Sequence, residues 1–179
     1  DKLIYRHPHV FSTTEVSDSA QVVQNWEMLK AKEKDGNKRI LSGVPDTLPP
    51  LLKAYRMQDK ARAVGFDWEK REDVWNKVKE ELGEYQAELD AMTAASSDED
   101  KKAAADRAEQ ELGDYLFSVV NAARLYGLNP DTALERTCAK FKRRFTYLEE
   151  HTIRQGRDLH DMTLAQMDEI WDEAKAKGL

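Results

Sequence analysis

Apolar positions recur at three- and four-residue spacing along most of the chain, the period of helices that bury one face. Val22, Val23, Trp26 and Leu29 predict a helix reaching Lys34, with Ser17 or Ser19 as its cap and Asp35-Gly36-Asn37 as its end. A connecting segment follows over 35–47. Thr47 ahead of Leu48-Pro49-Pro50 predicts a capped helix with prolines in its first turn, running through Leu51, Leu52, Tyr55, Met57, Ala61 and Val64. Gly65-Phe66-Asp67-Trp68 closes it, and the two aromatics are expected to pack inward. Val74, Val78, Leu82, Tyr85, Leu89 and Met92 mark a helix over 69–93, followed by a polar surface loop over 93–102. Leu112, Leu116, Val119, Val120 and Ala123 mark another from near Lys102 to Tyr126, with Gly127 as its C-terminal cap. Asn129-Pro130-Asp131 opens a helix whose apolar side is Ala133, Leu134, Cys138, Phe141, Phe145 and Leu148. After a polar loop over 154–161, Thr163 caps a last helix through Leu164, Met167, Ile170, Trp171 and Ala174. Residues 1–13 show no clear period, and Pro8 discourages helix at His7. The expectation is an all-α bundle of about six helices with no strand.

At 179 residues the chain is long enough for one ordinary domain with a real core. It divides into an N-terminal segment over 1–47, one helix and a connector, and a helical domain over 48–179. The net charge of −6 disfavours coating a nucleic-acid backbone. The single Cys138 excludes an internal disulfide and fits a reducing cytoplasm. No apolar run approaches 18 residues, so no membrane partner is expected. The chain starts at Asp1 without a methionine and is read as a piece of something longer.

The chemistry is concentrated in a repeated pentapeptide, Glu81-Leu82-Gly83-Glu84-Tyr85 and Glu111-Leu112-Gly113-Asp114-Tyr115. In each copy the acids at i and i+3 share a helix face beside the apolar stripe, with Cβ atoms about 5–6 Å apart. Packed side by side, two such helices would bring four carboxylates together, and like charges in a partly desolvated place call for a cation. Oxygen-only ligands favour magnesium, with manganese or calcium as substitutes, over zinc. The alternative is an ordinary solvated acidic face. Gly83 and Gly113 cost helix stability, and their recurrence suggests close approach of a backbone or a ligand. Lys77 shares the stripe of Glu81, Glu84 and Glu88, while Asn121 shares that of Glu111, Asp114 and Ser118, which together suggest a lined cleft; mutual i,i+4 pairing is the plainer reading. Lys140, Arg143 and Arg144 project from one helix side beside Phe141 and Phe145, a cluster suited to phosphate oxygens or to pairing with Glu149 and Glu150. His7 and His9 have no third ligand in view and read as polar surface. Phosphate-loop and dinucleotide fingerprints are absent, no Glu-x-x-His supports a di-iron centre, and no Ser or Cys has a histidine partner in a known pattern.

Glu81-x-x-Glu84, 26 intervening residues, then Glu111-x-x-Asp114 resembles the signature of the all-α nucleoside triphosphate pyrophosphohydrolases, and within them the MazG family. Arg6-His7-Pro8-His9-Val10-Phe11, Pro45 with Leu48-Pro49, Gly65-Phe66-Asp67-Trp68, Leu116-Phe117 with Val120-Asn121, Lys140-Phe141 with Arg143-Arg144-Phe145, and Trp171 resemble that family's C-terminal half, so the likeness covers nearly the whole chain. It implies a four-helix core, a dimer, a similar domain upstream, and magnesium-dependent hydrolysis of nucleoside triphosphates to monophosphate and pyrophosphate. It further implies magnesium on Glu81, Glu84, Glu111 and Asp114, and a nucleotide bordered by 77–81, 107–110, 140–144 and Trp171, which include Lys77, Arg107 and Gln110. Gln110 departs from the Glu common there. Glu80 is left between a base and an outer ligand. Two rival readings stand beside this one: a relative specialised for one nucleotide such as dUTP or phosphoribosyl-ATP, and a non-catalytic regulatory or dimerising helical domain that keeps a metal site.

Overall fold

A computed structural model of the chain describes residues 2–12, 22, 25, 26, 29 and 39–179. Among them are seven helices and no strand: α1 (Lys2–Arg6), α2 (Pro8–Phe11), α3 (Pro50–Arg62), α4 (Val74–Ala94), α5 (Asp98–Leu125), α6 (Pro130–Arg154) and α7 (Leu164–Ala176). The all-α expectation holds. The helix expected from Val22 to Lys34 lies largely outside the described residues; Val22, Asn25, Trp26 and Leu29 are helical.

Contacts divide the chain into two compact units, 1–130 and 131–179. The first is built on α4 and α5, joined by three residues and packed along each other, with α3 laid against α5. Its core is Val74, Val78 and Ala122, with Tyr115, Val119 and Leu125 packed around them. Ala104 and Ala108 are buried towards the start of α5, where small side chains permit close contact. In the second unit Leu148, Thr152 and Ala174 are buried, and Phe141 meets Trp171 with ring centroids 5.2 Å apart.

Four local expectations are corrected. Residues 2–11 form two short helices, and only His7, at φ −122° and ψ 58° ahead of Pro8, breaks them. Thr47 caps nothing: it sits in a turn closed by the Leu48 N–H on the Pro45 carbonyl, and α3 starts at Pro50 behind Pro49. The loop expected over 93–102 is confined to 95–97, because Ser97 caps α5 by accepting the Asp100 N–H. Phe66 is 82% exposed and Trp68 39%, so neither is packed inward. The turn carrying them is closed by Gly65 at φ +89°, where the Phe66 N–H reaches the Ala61 carbonyl. Two apolar stripes are also less buried than their spacing implies. Leu116 on α5, and Leu134, Cys138, Phe141 and Phe145 on α6, are exposed in whole or large part. The ends of α5 and α7 are as expected: Gly127 takes φ +69° behind α5, and Thr163 with Gln166 forms a reciprocal capping box at α7.

Candidate active site

Residue spacing within α4 and α5 stacks the acids in pairs; packing of the two helices brings the pairs together. Carboxylate oxygens of Glu81, Glu84 and Glu111 all lie within 4.8 Å of one another. Glu81 is 7% exposed, Glu111 is half-buried and Glu84 is exposed, so the group grades from the helix interface to the surface. Desolvation, followed by the charges of Glu81 and Glu111, holds the Glu84 carboxyl above the usual carboxylate range, with the Lys77 charge opposing. Lys77 donates to Glu81 at 2.7 Å and to Glu80 at 2.8 Å. Those two hydrogen bonds push the Lys77 ammonium well above its ordinary range. Lys77 thus fixes the Glu81 carboxylate and leaves Glu80, which is exposed, beside it.

Asp114 is exposed, and with Glu81, Lys77 and Asn121 it lines a cavity of about 820 Å³ entirely within the first unit. The rest of the wall comes from α3, the 65–69 turn and α5, with Leu41 and Asp73. The Ser118 hydroxyl is turned back on the Tyr115 carbonyl at 2.7 Å. Sequence reasoning missed the polar floor of this cavity. The side chain of Arg124 is 5% exposed and donates to both Asp67 oxygens at 2.5 and 3.0 Å, and to Asn121 Oδ1 at 2.8 and 3.1 Å. The available signal was a charged residue four after Val120, on the buried side of an apolar helix. Gln58 is a second omission: it is 7% exposed on α3 and donates through Nε2 to the Phe117 carbonyl at 2.8 Å.

Two other expected site residues of the first unit do not line that cavity. Arg107 pairs with Glu88 at 2.8 Å and lines a separate hollow with Ala91, Ala94 and Asp100. Gln110 is exposed and lines neither of these two hollows. Lys140, Arg143, Arg144 and Trp171 belong to the second unit. There Arg144 donates to the Leu179 carbonyl at 2.6 Å and lies 5.9 Å from the Trp171 ring. A Cβ added to Gly83 or Gly113 would meet nothing within 4 Å, so among the described residues no backbone makes the close approach their recurrence suggested.

Three carboxylates, one nearly buried, with a like-charge penalty written into Glu84, suit a hard divalent cation; the donor set is oxygen throughout. No described helix is long and apolar enough to cross a membrane.

Comparison with known proteins bears on the same segment. Residues 69–148, which contain both acid pairs, match the model of the MazG nucleotide pyrophosphohydrolase domain. A nucleoside triphosphate pyrophosphohydrolase of Escherichia coli K12 is 35% identical over 98% of this chain and 64% of its own length. A nucleoside triphosphate pyrophosphohydrolase/pyrophosphatase MazG of Thermotoga maritima is 36% identical over 98% of this chain and 62% of its own. The protein YabN of Bacillus subtilis is 44% identical over 98% of this chain and 34% of its own. This chain therefore spans less than two thirds of each of these three relatives. Residues 69–148 carry the match to the MazG nucleotide pyrophosphohydrolase domain family.

Proposed function

We propose that the chain hydrolyses nucleoside triphosphates to nucleoside monophosphate and pyrophosphate at the acid cluster, with magnesium, or manganese in its place. The observation that carries this reading is the convergence of Glu81, Glu84 and Glu111 within the segment that matches the MazG domain. Those three residues would hold the metal, and Asp114, three residues after Glu111 on α5 and lining the adjoining cavity, would be the fourth ligand. A bound divalent cation would neutralise phosphate charge and supply a more acidic water. The chain's own part is positional: Lys77 locks the Glu81 carboxylate before substrate arrives, so less order has to be created on binding. Glu80, exposed and on the same ammonium, is placed to take a proton at its carboxylate. Asn121 supplies a polar group on the cavity wall.

Phosphorus NMR of ATP, GTP, CTP, UTP and dUTP incubated with the protein, with and without magnesium, tests this. Magnesium-dependent monophosphate and pyrophosphate is expected. Orthophosphate with diphosphate would mean that another bond is cut. Glu81→Gln should lower turnover about a hundredfold or more, the scale of lost transition-state contacts, with the helical spectrum unchanged.

The same reading makes the chain a homodimer. It is supported by the α5 face bearing Gly113 and Leu116, which is open and partly apolar. Sedimentation at micromolar concentration should give twice the chain mass, and a monomer throughout would sink this part.

A further inference from the structure

Two amides on the cavity wall have each had half of their hydrogen-bonding capacity committed by the fold, in opposite senses. Asn121 Oδ1 accepts twice from Arg124, at 2.8 and 3.1 Å, so the group Asn121 has left to offer is its N–H pair, a donor. Gln58 Nε2 donates to the Phe117 carbonyl at 2.8 Å, so the group Gln58 has left is Oε1, an acceptor. That oxygen has no partner among the described residues although Gln58 is 7% exposed. Buried side-chain oxygens are rarely left so, because the lost hydration is not repaid.

We propose that Gln58 and Asn121 read the edge of a nucleobase, Gln58 accepting from a ring N–H or amino group and Asn121 donating to a ring nitrogen or carbonyl. This rests on the nucleotide reading of the neighbouring acid cluster and goes beyond it by naming what recognises the base. A donor beside an acceptor on a flat ring is the pattern every base presents, and an apolar ligand cannot satisfy either amide. The same cavity carries Phe117, Phe66 and Trp68, flat surfaces of the kind on which bases stack. It is also bounded by Glu81 and Asp114, so a base held there leaves its phosphates on the side of the acids. Gln58 Oε1 has less than 1 Å² of accessible surface, and the ligand engages it by a small turn of the amide about its Phe117 bond.

The test is calorimetric binding of AMP, GMP, CMP and UMP, without metal, to the wild type and to Asn121→Asp, Gln58→Met and Gln58→Glu. Asn121→Asp keeps an acceptor for Arg124 and replaces the donor facing the cavity by an acceptor. It should shift the CMP-to-UMP affinity ratio about tenfold towards CMP, whose amino group an acceptor can take. Gln58→Met removes the unpartnered acceptor together with the amide N–H that donates to the Phe117 carbonyl, so its folding is checked first. It should weaken the preferred base about tenfold more than the others. If Gln58→Met misfolds, Gln58→Glu, which places a charged and stronger acceptor there, must still alter the base ratios. Unchanged ratios in folded variants of both residues, or no monophosphate binding by the wild type, would overturn the inference. Turnover is read separately. Pyrophosphate release with wild-type base ranking in the variants leaves hydrolysis standing and removes the base-reading role. Base-selective binding without pyrophosphate supports that role and removes hydrolysis.

Discussion

Arg124 is a buried cation that ties two parts of the first unit together. It joins α5 to the turn behind α3 through Asp67 while holding Asn121 in one orientation. Removing one member of a buried ion pair leaves the other charge uncompensated, which costs about 3–5 kcal/mol. Arg124→Ala is therefore expected to lower the urea midpoint severely, and Arg124→Lys to fail to restore it, because a single ammonium cannot fork across two Asp67 oxygens and Asn121. Glu84 behaves in the opposite way. Its folded-state pKa is raised, so in the metal-free protein its charge opposes folding at neutral pH, and the penalty disappears as pH falls through that raised value. Glu84→Gln should accordingly melt higher than wild type at pH 7 in the presence of a chelator. The gap should close on acidification, and turnover should be lost at every pH. A melting temperature that falls at pH 7 would contradict the like-charge account. The acid pairs were legible in the sequence because an i,i+3 spacing is a local fact. Gln58, Asp67 and Arg124 were not, because their partners are 59 and 57 residues away in the chain.

At the scale of elements, caps and proline positions were read well where the capping group is adjacent to the helix it caps. Thr163 with Gln166 and Gly127 are of this kind. Thr163→Ala should cost about 1 kcal/mol in the stability of the second unit, measurable as a shift in its denaturation midpoint. Ser97 shows how a boundary is misread. A Ser-Asp-Glu-Asp run has loop composition, yet Ser97 accepts the Asp100 N–H, and the acids in the first turn face the positive end of the helix dipole. The helix therefore begins four residues earlier than its composition suggests. The aromatic pair Phe66 and Trp68 was misread for the converse reason. Large apolar side chains usually go inside, but the positive φ of Gly65 turns this segment over the cavity instead of into the core. Gly65→Ala should destabilise by about 1 kcal/mol through backbone strain alone, since a Cβ there meets no neighbour.

For the whole molecule, the core of the first unit is small, with Val74 and Ala122 each 1% exposed at the α4–α5 contact. Val74→Ala should cost about 2 kcal/mol, because helices joined by a three-residue link close a cavity only by moving together. The sequence by itself determined the helical class, most helix positions, and the stacking of acids on two helices, since periods of three and four residues and adjacent caps carry that information. The tertiary structure alone decided that Glu81, Glu84 and Glu111 meet within 4.8 Å and that Lys77 holds Glu81. It also decided that one amide on the cavity wall is left a donor and another an acceptor. Those are consequences of which helix faces pack together. No residue's own spacing specifies that choice, because it depends on side chains brought together from distant parts of the chain.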